Sequence, residues 1–165
     1  MEVAIRPAAP EDVGAVLAEL SPRMEQELPL LYPGLDPAER RLVIVRQALG
    51  AILAGRASAF LADGRPACVL SWTADRLGDD RTGAGRWWVT TLATEAFYAP
   101  AFLRPARRHL DAVQGRLGGA LAAHTRSDHA RARPWLRFLG FRPDPLAEPS
   151  CHVRPAPAGR TSRGA

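Results

Sequence analysis

The stretch Trp135-Leu136-Arg137-Phe138-Leu139-Gly140-Phe141 reads as the close of a helix that leads into a strand. Ahead of it, Ala120 to His124 reads as a short strand. Before that lies a basic helix, with Ala106, Leu110, Val113 and Leu117 on one face and Arg107, Arg108, Asp111 and Arg116 largely on the other. Gly118-Gly119 ends it. Trp87 to Thr94 is an earlier strand, rich in aromatic and β-branched residues. No glycine occurs between Gly85 and Gly115.

The first half supplies the partners. Val3 to Arg6 is a short strand, and Pro10-Glu11-Asp12 opens a helix whose Val13, Val16, Leu17 and Leu20 fall on one face. Ser21-Pro22 stops it, and Arg23 to Leu35 reads as a short helix followed by a loop. Asp36-Pro37-Ala38-Glu39 is a helix start with Asp36 as cap, Pro37 in the first turn and Glu39 completing a capping box. Leu42, Val45, Leu49, Ile52 and Leu53 form the apolar face, and Gly55 is the stop. Ala57 to Ala62, Asp63-Gly64, then Pro66 to Thr73 is a hairpin signal, because Asp-Gly tolerates the positive φ of a tight turn. Asp75 to Gly85 is a loop, and Ser150 to Arg154 carries a weak strand pattern.

A chain of 165 residues that is 47% hydrophobic suits one core and one domain, placed at residues 1–154. Residues 155–165, with few apolar side chains, read as a Pro/Arg tail that is disordered or ordered only by a partner. No apolar run reaches the roughly 20 residues of a membrane span, and the N-terminus lacks signal-peptide architecture. Cys68 and Cys151 read as free thiols. The expected location is cytoplasmic, in a bacterial or host cell, and not secreted. All 22 basic residues are arginine, and the net charge is +5. Such a balance permits acidic partners, nucleic acid included, although a GC-rich coding sequence explains the arginine equally well.

The element order, with a meander of strands flanked by about four helices, implies an α+β fold with a mixed central sheet of 6–7 strands. It resembles the GNAT acyltransferase fold across residues 3–154, most clearly at Trp135 to Phe141. The resemblance implies a binding site for acetyl-CoA where the fourth and fifth strands splay apart. There most GNAT enzymes seat the pyrophosphate on glycine-rich amides at a helix N-terminus, since unpaired amides and the helix dipole favour an anion. This chain has Tyr98-Ala99-Pro100-Ala101-Phe102-Leu103-Arg104-Pro105 at that place, and Pro100 and Pro105 lack amide hydrogens. If an acyl-CoA is bound, the resemblance sets Leu92, Thr94, Arg104, Arg107 and Arg108 against it; the three arginines read equally well as a solvated helix face. The family's last helix often carries N-x-x-A-x-x-F-Y-x-x-L-G-F. Here Ala132 matches, Trp135 takes the Phe position and His129 the Asn position. Leu136 stands where a tyrosine commonly protonates the departing thiolate, and leucine cannot donate a proton. The alignment places Leu136 toward the core, and Pro134 should kink this helix or mark its start.

Trp87-Trp88-Val89-Thr90, Phe102 to His109 and Trp135 to Phe141 together look like a phage branch of GNAT-like proteins, the Gp13-like family linked to virion assembly and internal core. That resemblance implies a non-catalytic structural protein with no cofactor, phage virion proteins or its own copies as partners, and a possible place in the virion. The alternative is a divergent acetyl-CoA-dependent N-acetyltransferase acting on an amine, with Glu95 as base after the central strand. Glu95 reads equally as a loop carboxylate paired with an arginine. His124 and His129 flank a turn but have no third ligand at metal-binding spacing. Neither cysteine sits in a nucleophile motif with His124. Of Trp72, Trp87 and Trp88, two are expected in the core.

Overall fold

The computed structural model describes residues 1–75, 85–126 and 132–156. Its centre is one seven-stranded sheet in the order β1-β2-β3-β4-β5-β7-β6. The strands are β1 (Val3–Pro7), β2 (Ala57–Ala62), β3 (Arg65–Ala74), β4 (Arg86–Ala93), β5 (Ala120–His124), β6 (Arg142–Pro143) and β7 (Cys151–Arg154). Every neighbouring pair is antiparallel except β4 and β5, which run parallel. A parallel pair needs a crossover, and α4 (Leu103–Leu117) supplies it.

The helices start where the local chemistry allows. In α3 (Pro37–Leu53), Asp36 accepts from the Ala38 and Glu39 amides, while Glu39 accepts from the Asp36 amide at 2.9 Å. Helix α1 (Pro10–Ala18) ends before Ser21-Pro22, with Glu19 as its C-cap and Leu20 bridged to Thr94, while Ser21-Pro22 begins α2 (Pro22–Leu31): Ser21 Oγ accepts from the Met24 amide at 3.2 Å. The short helix expected from the sequence is therefore a capped ten-residue helix, and with α5 (Ala132–Phe138) the α-helices among the described residues number five. Pro134 lies in the first turn of α5, where proline is tolerated. The Asp63-Gly64 turn has φ of 48° and 81°, the positive pair a tight hairpin requires.

Alternation along β3 sorts the core into two layers. Cys68, Leu70 and Trp72 face α4 with Phe60, Phe102, Ala106, Leu110 and Val113. Val69 faces the other way and packs with Val13, Val16, Met24, Ile44 and Leu92 beneath α1, α2 and α3. Both cysteines are free and buried. At the first loop, Arg6 grips the buried Asp12 through two 2.7 Å hydrogen bonds. Burial alone would raise the Asp12 carboxyl, but Arg6 and the Ala9 amide outweigh it and hold its pKa below the usual value. The expected tail begins at Pro155, whose carbonyl accepts from Gln114 Nε2 at 2.8 Å; residues 157–165 lie outside the described set.

His109 on α4 is wedged against Phe60 and Trp72, with ring centroids 5.3 and 6.3 Å away. Its Nε2 is buried without a partner among the described residues. Burial, aided by Arg116, pulls its pKa below the ordinary 6.5. A neutral imidazole in the fold and an easily protonated one in the unfolded chain make stability fall with acidification. The contribution is complete above pH ~6.5 and is lost as pH drops through the lower folded value. Denaturant midpoints measured above and below that pH should fall less steeply in His109→Leu than in the parent. Equal slopes would show that His109 does not govern the acid limb.

Candidate functional site

Strands β4 and β5 are paired only at Arg86↔Ala120, Trp87↔Leu121 and Trp88↔Ala122. Beyond Trp88 they part. β4 stays paired with β3 as far as Ala93, while β5 continues to β7 on its other side. A cavity of about 270 Å³ occupies the opening. Val89, Thr90 and Thr91 form one wall and Ala123 and His124 the other; Leu70, Leu110, Leu139 and Phe141 contribute apolar surface. The GNAT resemblance implies a cleft near Leu92 to Glu95 and His124; His124 does line it, but pairing with β5 already stops at Trp88, so its β4 wall is Val89 to Thr91.

Helix α2 closes one side and brings two charged side chains to the cavity. Arg23 lies over the Tyr98 ring, its guanidinium carbon 4.5 Å from the centroid. Glu27 is 8% exposed, and its Oε1 accepts the Arg126 backbone N–H at 2.7 Å. Tyr98 also lines the cavity, packed edge-on to Trp135 at 6.2 Å. Burial pushes its phenol up to about 12, with Arg23 pulling the other way, so it is protonated at neutral pH. Across the split, the His124 ring stacks on Trp88 at 4.5 Å with 6° between planes. Its Nδ1 lies 3.6 Å from Glu148. Burial lowers the His124 pKa against the pull of Glu148. Chemically, the cavity offers a carboxylate acceptor, a phenol donor and an imidazole around an apolar centre.

Leu136 also lines this cavity and is half-buried. That corrects its expected place in the core: α5 is short and its inner face borders the open split, so Leu136 meets both packed side chains and the cavity. Of the residues singled out from the sequence, Leu92 is 3% exposed and packs on the α1–α3 side of the sheet. Thr94 is buried, with its amide and Oγ1 both donating to the Ala67 carbonyl. Glu95 is exposed at the start of a 3-10 turn and is not among the lining residues. Arg104, Arg107 and Arg108 are exposed on the outer side of α4. His124 is at the cavity; His129 lies outside the described residues. Trp72 is buried, Trp87 packs on the core, and Trp88 forms the stack at the split. Sequence reasoning missed Arg23, Glu27 and Tyr98. The Ser21-Pro22 start of α2 was the available signal, since it fixes Arg23 and Glu27 at i and i+4 on one helix face.

The segment between β4 and α4 folds as two 3-10 turns, Glu95–Tyr98 and Pro100–Phe102. These turns consume amides. Phe97 donates to Thr94 O, Ala99 to Ala96 O, Phe102 to Ala99 O and Leu103 to Pro100 O. Phe97 and Phe102, 2% and 0% exposed, anchor the turns on Phe60.

No family model matches the sequence, and no curated protein matches it. Solved structures do match. An acetyltransferase of the GNAT family from Streptococcus agalactiae 2603 superposes with a TM-score of 0.61 at 15% identity, covering 94% of this chain and 96% of its own. PaiA N-acetyltransferase from Thermoplasma acidophilum, solved with coenzyme A, gives 0.61 at 10% identity, covering 93% and 97%. The aminoglycoside acetyltransferase AAC(6')-Ib with coenzyme A gives 0.62 at 14%, covering 93% and 95%. The chain has the GNAT fold. The split between β4 and β5 is then the divergence that the sequence resemblance placed at the fourth and fifth strands. The two 3-10 turns lie between β4 and α4, where the sequence resemblance sets the GNAT pyrophosphate loop. Four of their amides are spent internally, and Pro100 and Pro105 have none to offer. Among the described residues no group of three or more His, Cys, Asp or Glu side chains could hold a metal, and no helix is long and apolar enough to cross a membrane.

Proposed function

We propose that this chain is a non-catalytic GNAT-fold protein of phage type that serves virion assembly through protein contacts. The observation that carries the non-catalytic part is the state of the β4–α4 segment. A diphosphate needs several free N–H groups converging on it, and this segment directs four of them to its own carbonyls. The phage part rests on the likeness of Trp87 to Thr90, Phe102 to His109 and Trp135 to Phe141 to the Gp13-like group. Its test is localisation: tagged protein should co-sediment with purified particles of the phage or prophage that encodes it. Particles that assemble normally without the gene, and never contain its product, would refute the assembly role.

A second reading has an observation of its own. The Glu27 carboxylate and the protonated Tyr98 phenol both line the open cavity on its α2 side. A divergent acetyl-CoA-dependent N-acetyltransferase could use such a pair to take a proton from an amine and return one to a thiolate. Thiol release from acetyl-CoA in the presence of a panel of amines, lost in Glu27→Gln, would favour this reading.

A further inference from the structure

The outer faces of α4 and α5 form one arginine surface that breaks the usual rules of helix stability. Arg104 sits in the first turn of α4, at the positive end of the helix dipole, where a cation is unfavourable and no acid accompanies it. Arg104 and Arg108 are four residues apart, as are Arg133 and Arg137 on α5, and like charges at this spacing repel. All four are exposed, as is Arg107. None of the five forms an ion pair with a described residue, whereas Arg6, Arg86, Arg126 and Arg154 each do. Asp111, the one acid on either helix, is already paired with Arg154. Local arrangements that cost stability mark places where a partner restores the balance.

Arg107 links the two helices: its guanidinium carbon lies 5.7 Å from the centroid of Phe138, an aromatic ring 36% exposed on α5. We propose that this surface docks an acidic, amphipathic segment of a partner protein, with carboxylates on Arg104, Arg108, Arg133 and Arg137 and an apolar side chain against the open edge of Phe138. The proposal rests on the reading of the chain as a protein-binding module and names the surface and the partner chemistry. An apolar centre within a charged rim is the anatomy of a protein interface. Nucleic-acid bases would need the face of Phe138, which Arg107 covers.

The test is fluorescence anisotropy with a labelled peptide of repeated Glu-Glu-Leu-Glu, using the full chain, Arg104→Glu/Arg108→Glu, and the control Arg41→Glu/Arg46→Glu on α3. The two double variants change net charge equally, at exposed positions. Peptide affinity should fall roughly tenfold or more in the α4 variant and little in the α3 variant, and it should weaken with salt. Equal losses would reduce the effect to net charge and overturn the proposal, as would no binding by the parent chain. Tighter binding of duplex DNA with the same variant dependence would make the surface a nucleic-acid site and overturn it too. Acetyl-CoA binding that disappears in the α4 variant would assign the arginines to a coenzyme and sink both readings. Acetyl-CoA binding unaffected by that variant, with peptide binding still lost, would sink the non-catalytic reading and leave the docking surface standing.

Discussion

Replacing Phe102 with alanine should cost about 3–5 kcal/mol of folding stability, the range for removing a fully buried aromatic side chain. Phe102 is 0% exposed and lies between Phe97, 5.3 Å away by ring centroid, and Phe60 at 6.5 Å. It caps the second 3-10 turn and immediately precedes α4, so its ring pins the β4–α4 segment to the sheet. Urea unfolding of the variant checks the claim. A loss under about 1 kcal/mol would mean that the segment is held by something other than this ring.

Gly119→Ala should destabilise by about 1–3 kcal/mol or more, because its effect is on backbone rather than on a movable side chain. A Cβ at position 119 would lie 1.8 Å from the Gly85 carbonyl oxygen and 2.9 Å from its carbon. The next residue, Ala120, is paired with Arg86 at the start of the one parallel contact among the described strands. A methyl group there must push β4 and β5 apart where they are joined, and only three residue pairs hold them. Gly115→Ala is the matched control. It lies inside α4 with open space around its Cβ position, so alanine should be neutral or stabilising by about 0.5–1 kcal/mol. Thermal melts of the two variants should move in opposite directions. Equal shifts would show that the close approach of Gly119 to Gly85 is not a constraint.

Much of this architecture was legible because the signals were local. The Asp36 capping box, the Asp63-Gly64 turn and the apolar stripe Ala106, Leu110, Val113 of α4 each depend on neighbours within a few residues. Gly118 at φ 71° ends α4 as read, but the Gly119 beside it serves a contact across the sheet that spacing cannot reveal. The cavity was harder to read for the same reason. Glu27 is held there by a hydrogen bond that its carboxylate accepts from the Arg126 amide, 99 residues away. Tyr98 lies in the segment that lacks the glycines of the GNAT loop, and no local pattern marks it as a cavity residue. The alignment sets Leu136 in the core; the opening between β4 and β5 leaves it half-buried, packed on the core and bordering the cavity. The exposed position of Glu95 follows from the 3-10 turn it begins, which turns the chain away from β4 just past the split.

In this GNAT fold the sheet stays split while the β4–α4 segment turns four amides onto its own carbonyls, from which we infer that acetyl-CoA finds no diphosphate seat there. Isothermal titration calorimetry of the full chain with acetyl-CoA tests it most directly. Each charge-assisted contact to phosphate that the segment cannot make would be worth roughly 1.5–3 kcal/mol. The account predicts no saturable heat until acetyl-CoA reaches about the millimolar range, where binding is worth only about 4 kcal/mol. A dissociation constant in the low micromolar range would contradict it.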